Sequence, residues 1–155
     1  MSAPTGKTPN RAGVRAVLRV GHRDLVTALG RINGYHGYGT FTPTQVASIA
    51  ALEGPQECVG EIAMNYQKRR DVLVESFGRA GWDIPSPKAS MFAWAPLPPA
   101  LKAMGSLEFS KQLLTHAEVA VAPGVGYGEE GEGYVRTALV ENEQRFRQAA
   151  RNVKA

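Results

Sequence analysis

Between Gly54-Pro55 and Gly81 the chain runs without a break signal, and Val59, Ile62, Tyr66, Leu73, Phe77 and Ala80 recur in it at helical spacing. A helix of that length with a single apolar stripe is stable only if another layer covers the stripe. Pro55 suits the first helical position, where a missing N–H costs nothing. Glu57 and Glu61 near the start, and Lys68, Arg69, Arg70 and Arg79 later, match the helix dipole. The Lys68-Arg69-Arg70 triplet is expected to form a solvated face of this helix.

The chain beyond Gly81 supplies the covering layer. SMFAWAPL reads as a strand and LPPALKAMG as a proline-rich turn. Ser106 is placed to cap a short helix with Phe109, Leu113, Leu114 and Ala117 inward. EVAVAPG is a compact strand, a glycine-rich connector comes after it, and YVRTALV is another strand. ENEQRFRQAARNVKA closes as a helix with Phe146, Ala149, Ala150 and Val153 on one side. A long helix succeeded by β-α-β-loop-β-α predicts an α/β or α+β layer.

The first third is less regular. VRAVLRV alternates apolar and basic residues like a half-buried strand, and HRDLVTALGRIN has helical spacing up to a stop at Gly34. YHGYGTFTP is loop-like, and PTQVASIAAL is a second helix. Residues 1–35 carry six basic side chains against Asp24, a balance of +5 out of a net +4. No aromatic interleaving or nucleic-acid motif accompanies them, so solvated charge or a local anion site is expected, and no nucleic-acid partner.

At 155 residues, 43% hydrophobic and 21% charged, the composition is that of an ordinary soluble protein. No apolar run reaches the roughly 20 residues of a spanning helix, so no membrane partner is expected. MSAPTGKTPNR has no apolar core of a secretory signal, and Cys58 stands alone, which suits a reducing cytoplasm. His22, His36 and His116 are scattered without ligand spacing, and no metal is expected. No G-x-S-x-G elbow is present.

Two features could carry chemistry. Gly124 to Gly133 contains five glycines, the composition of a phosphate loop, but lacks the G-K-[ST] ending. A strand comes after it rather than a helix, and Glu129, Glu130 and Glu132 would repel a phosphate. The second feature is Arg136, between Val135 and the apolar Ala138, Leu139 and Val140. A guanidinium withdrawn from water needs a partner, and its planar fork fits a carboxylate. That partner is an internal acid or a substrate carboxylate; the remaining alternative is an edge-strand arginine reaching out to solvent.

Three long stretches carry a resemblance in one order: YGTFTPTQVASIAAL, YQKRRDVLVESFGRAGWDIPSPKASMFAWAPLP and VAVAPGVGYGEEGEGYVRTALVENEQR. Together they resemble class I/II aminotransferases, the fold-type I enzymes dependent on pyridoxal 5'-phosphate (PLP). Bacterial alanine, aspartate and LL-diaminopimelate aminotransferases are the relatives they are most similar to. The resemblance implies that residues 55–155 form the family's C-terminal small domain and residues 1–54 the end of its large PLP-binding domain. It implies transfer of an amino group between an amino acid and a 2-oxo acid, a cytoplasmic homodimer, and Arg136 as the grip on the substrate α-carboxylate.

By the same resemblance, Lys7 is the lysine bonded to PLP and Arg15, eight residues on, holds the cofactor phosphate. Asn10 and Gly13 are in register, whereas Pro9, Arg11 and Val17 depart from the family's pattern. Most cofactor contacts in the family precede the lysine. The chain is therefore expected to behave as a truncated aminotransferase with little or no activity alone, or as a non-catalytic carboxylate-binding or subunit-interaction fragment. Removal of the large domain is expected to expose apolar surface over residues 14–50.

Overall fold

Leu73, Phe77, Trp82 and Ile84 are nearly inaccessible to solvent, and they anchor the one core that the described residues form. The computed structural model describes residues 2–4 and 17–154. The chain divides into two units, residues 1–63 and 64–155.

In the first unit, β1 (Ser2–Pro4) pairs antiparallel with β2 (Val17–Arg19), Ala3 opposite Leu18. Helix α1 (Arg23–Gly37) begins at His22, whose ring accepts the Asp24 N–H. It runs through Gly34 and ends only where Tyr38 turns left-handed at φ 50°. The expected stop at Gly34 is thus displaced by three residues, because an isolated glycine costs a helix about 1 kcal/mol and need not end it. Helix α2 (Thr42–Glu53) carries Pro43 in its first turn. Neither α1 nor α2 has a buried residue, and Leu25, Ile32, Tyr35, Val46, Ile49 and Leu52 all lie exposed.

Helix α3 (Glu57–Arg79) starts two residues after Pro55, which therefore precedes the helix instead of opening it. Its stripe occupies the expected positions, with Leu73 and Phe77 buried and Tyr66 and Ala80 packed beside them. In the second unit the sheet has the order β3-β5-β4, all antiparallel: β3 (Phe92–Pro96), β5 (Tyr134–Ala138) and β4 (Ala122–Pro123). Ala93, Ala95 and Val135 are fully buried on one face. Helices α4 (Ser106–Ala117) and α5 (Glu143–Lys154) add Phe109, Leu113, Ala117, Phe146 and Ala150 to the same core.

Trp82 stands among these side chains, edge-to-face with Phe77 at 5.5 Å and with Phe109 at 5.4 Å. Its indole N–H donates to the Pro96 carbonyl at 2.7 Å, which ties the end of α3 to the end of β3. Leu114, expected inward, is exposed, and Ser106 and Ser110 occupy buried positions on α4 instead. The strand expected over EVAVAPG shrinks to two residues. Glu118 turns left-handed at φ 57° and the Val119 N–H bonds the Leu113 carbonyl, a closure that uses residues 118 and 119 to finish α4.

The Lys68-Arg69-Arg70 face is only partly solvated. Arg69 is half-buried, and its Nη1 donates to the carbonyls of Leu139 (3.2 Å) and Val140 (3.1 Å) just beyond β5. The guanidinium thereby supplies donors to two carbonyls that have left the sheet. Arg70 pairs with Asp71.

Candidate carboxylate site

Alternation along β5 decides which side chains meet on the sheet's other face. Val135 opposite Ala95 points to the core, so Arg136, opposite Trp94 on β3 and Ala122 on β4, points the other way. Since β5 is the middle strand, Arg136 has neighbours on both sides and is not an edge arginine reaching outward. Its guanidinium carbon lies 4.2 Å from the centre of the Phe92 ring and 4.6 Å from that of Tyr127. Two aromatic faces thus hold the cation, each interaction worth on the order of 0.5–2 kcal/mol.

Among the described residues, no acidic side chain pairs with Arg136 and no acceptor takes a hydrogen bond from its guanidinium. The expected alternative of an internal salt bridge is therefore not met within the described chain. The half-buried guanidinium offers five donors, and no acidic side chain among the described residues takes them up. The N–H fork of an arginine is the edge that can grip a carboxylate bidentately.

Aromatic side chains extend the face. Trp94 meets Tyr127 edge-on at 5.4 Å and Tyr134 at 6.4 Å. Trp94, Tyr127 and Tyr134 line a shallow recess of about 350 Å³ with Glu130 and Gly131. Phe92 and Tyr127 are the functional candidates that sequence reading missed. Phe92 had a signal, since it lies two residues before Trp94 on the same face. Tyr127 had none, because a turn residue acquires its place only from tertiary packing.

The glycine-rich connector is two short 3-10 turns, Gly124–Tyr127 and Glu129–Gly131. Gly124 and Gly131 touch backbone to backbone. A Cβ on Gly124 would sit 1.9 Å from the Gly131 carbonyl oxygen, and one on Gly131 would sit 2.2 Å from that of Gly124. Gly128 and Gly133 adopt φ 117° and 83°, a region that other residues seldom enter. The glycines therefore serve close approach and turning.

Ser106 does not cap α4 with its own side chain. It is the first residue of the helix, and Glu132 reaches it from 26 residues downstream. One Glu132 oxygen accepts the Ser106 N–H at 2.6 Å and the Gly133 N–H at 2.9 Å; the other accepts the Ser106 hydroxyl at 3.0 Å. The Gly133 bond, and then the Ser106 bond, hold the Glu132 carboxyl below the usual carboxylate range. An N-terminal carboxylate also suits the dipole of α4. The helix end beside the glycine turns is thus already filled by the chain's own anion, not left for a phosphate.

Lys7 and Arg15 lie outside the described residues. No helix among the described residues is long and apolar enough to cross a membrane.

Comparison with known proteins agrees along nearly the whole chain. The sequence model described as "Aminotransferase class I and II" matches residues 1–153. Glutamate-pyruvate aminotransferase AlaC of Escherichia coli (strain K12) is 56% identical over 149 residues, which is 96% of this chain and 36% of that protein. LL-diaminopimelate aminotransferase of Moorella thermoacetica is 41% identical over 92% of this chain and 36% of its own length. Among solved structures, substrate-bound BacF from Bacillus subtilis superposes with a TM-score of 0.84 at 30% identity, over 96% of this chain and 38% of that one. The aromatic aminotransferase of Pyrococcus horikoshii OT3 shares the fold at a TM-score of 0.87 and 23% identity, over 99% of this chain and 41% of that one. The chain thus spans little more than a third of the length of these relatives.

Proposed function

For a chain that belongs to the class I and II aminotransferases and has their fold-type I architecture, we propose that it supplies the substrate-carboxylate grip of an amino-transfer site. In this reading Arg136 binds the α-carboxylate of the amino acid and of the 2-oxo acid between which the amino group passes. The observation that carries it is the Arg136 guanidinium, which lies against the Phe92 and Tyr127 rings and has no acidic partner among the described residues. Residues 55–155 act as the small domain and residues 1–54 as the end of the large one.

The family as a whole depends on PLP, whose role when bound is that of an electron sink. Lys7 and Arg15 are the residues that would hold its aldehyde and its phosphate. The helix N-terminus beside the glycine turns offers the cofactor phosphate no seat, because Glu132 fills it. What the described residues around Arg136 fit is the carboxylate half of the substrate. Phe92 and Tyr127 hold the Arg136 guanidinium against their rings, and Trp94 and Tyr134 wall the adjoining recess.

Arg136→Gln tests the reading, because it keeps hydrogen-bonding capacity but removes the charge. Pyruvate is a suitable probe, being named with the relative that is 56% identical. A charge-assisted bond contributes about 1.5–3 kcal/mol, so affinity for pyruvate should fall roughly tenfold or more. Quenching of Trp94, which is 42% exposed while Trp82 is buried, reports the titration. Equal affinities for the two proteins would remove Arg136 from the role.

A second reading, a subunit-association surface, is favoured by the exposed apolar residues of α1 and α2. Apolar surface of that extent drives association. Sedimentation velocity should give a mass above that of one chain, rising with concentration; a single-chain mass throughout would contradict it.

A further inference from the structure

Tyr127 forms one wall around Arg136, yet it belongs to a four-residue 3-10 turn with no side-chain cap of its own. Something else must hold that turn in register with β5. The Gly124–Gly131 contact gives it a seat but no direction, since it involves backbone atoms alone. Direction comes from a relay of hydrogen bonds across three separate elements. Glu132, four residues before Arg136, accepts both the N–H and the hydroxyl of Ser106 at the start of α4. The Ser106 oxygen in turn accepts the Val125 N–H at 3.2 Å, two residues before Tyr127. Ser106 itself has no exposed surface, whereas the Glu132 carboxylate meets it from the solvent side.

We propose that Glu132, acting through Ser106, is a positioning residue that sets Tyr127 against the Arg136 guanidinium and so tunes the affinity of the carboxylate site. The relay ties the entry to β5, the N-terminus of α4 and the Tyr127 turn at a single carboxylate. Its charge matters as well as its shape, because two N–H groups and a hydroxyl converge on it and no donor is left over. The depressed acidity of Glu132 agrees with a carboxylate held charged by these donors. Loss of the charge should loosen the Val125–Tyr127 turn while the core, built on other residues, stays as it is.

The relay acts on the geometry around Arg136, and its effect on affinity rests on the carboxylate reading above. Glu132→Gln, nearly identical in shape, and Ser106→Ala, which breaks the relay in the middle, are the variants to compare. The first measurement needs no ligand: the Arg136 side-chain protons between the Phe92 and Tyr127 rings carry ring-current shifts in an NMR spectrum. In both variants these shifts should fall toward ordinary arginine values, and the Trp94 indole N–H should move. The Trp82 indole N–H of Glu132→Gln should stay close to that of the parent, while the melting temperature falls by only a few degrees, the cost of the lost charge at the start of α4. A merely structural role would move the Trp82 resonance together with the rest. The second measurement is the pyruvate titration, in which Glu132→Gln should bind threefold or more weakly. Unaltered Arg136 and Trp94 resonances in both variants would overturn the proposal, whether or not the parent protein binds pyruvate.

Discussion

Gly124→Ala should leave the second unit poorly folded. The new methyl carbon would lie 1.9 Å from the Gly131 carbonyl oxygen and 2.5 Å from that of Tyr134, and both are backbone atoms that cannot rotate aside. Relief requires the Gly124–Tyr127 turn to leave its seat, which removes the Val125–Ser106 bond and lifts Tyr127 from Arg136. Forced insertion into a close-packed site costs about 1–3 kcal/mol, and more where only backbone can yield, so about 3 kcal/mol is expected. For a unit of this size that lowers the melting temperature by on the order of 15 °C. Gly126→Ala is the control, since a Cβ there meets nothing within 4 Å. Differential scanning calorimetry of the two variants checks the contrast; a Gly124→Ala transition matching that of Gly126→Ala would refute the packing described.

Trp82→Ala is the second large effect. The ring is 4% exposed and stands edge-on to both Phe77 and Phe109, so its removal empties the centre of the core. Such truncations cost about 3–5 kcal/mol. The half-buried Pro96 carbonyl also loses its donor, which adds about 1 kcal/mol. Trp82→Phe separates the two contributions, because it keeps an aromatic body and loses the N–H. Urea unfolding should show Phe at this position costing well under half of what Ala costs. Similar losses for both would mean that the hydrogen bond to Pro96, not the aromatic packing, carries the stability.

Much of this core was legible in the residues themselves. The stripe from Val59 to Ala80, the strands at Phe92 and Tyr134, and the helices at Ser106 and Glu143 are read from period alone. The misses have local causes. Gly34 did not end α1, because a single glycine is a mild penalty and no proline reinforced it. The strand over residues 118–124 yielded most of its length to the left-handed closure of α4. Arg69 read as solvated because the carbonyls it serves, those of Leu139 and Val140, lie 70 and 71 residues away.

The candidate site was legible in part. A guanidinium inside an apolar strand is visible as an anomaly, and the cost of burying charge raises the question of its partner. The rings that hold it are not visible in that way. Tyr127 reaches Arg136 only because Glu132, Ser106 and two contacting glycines fold the turn back, and none of these has a period or a motif. The three glutamates of the connector read alike in the sequence, yet one of them, Glu132, closes the helix end that a phosphate would have needed.

Isotope-edited NMR of the Arg136 side-chain Nε–H tests the proposed role of this residue as the receptor for a carboxylate. Pyruvate and its neutral analogue acetone are titrated in parallel. The Arg136 Nε–H signal should show a saturable displacement with pyruvate and none with acetone, and the Trp94 indole shift should trace the same curve. An Arg136 signal that ignores pyruvate, or that moves equally with acetone, would remove Arg136 from that role.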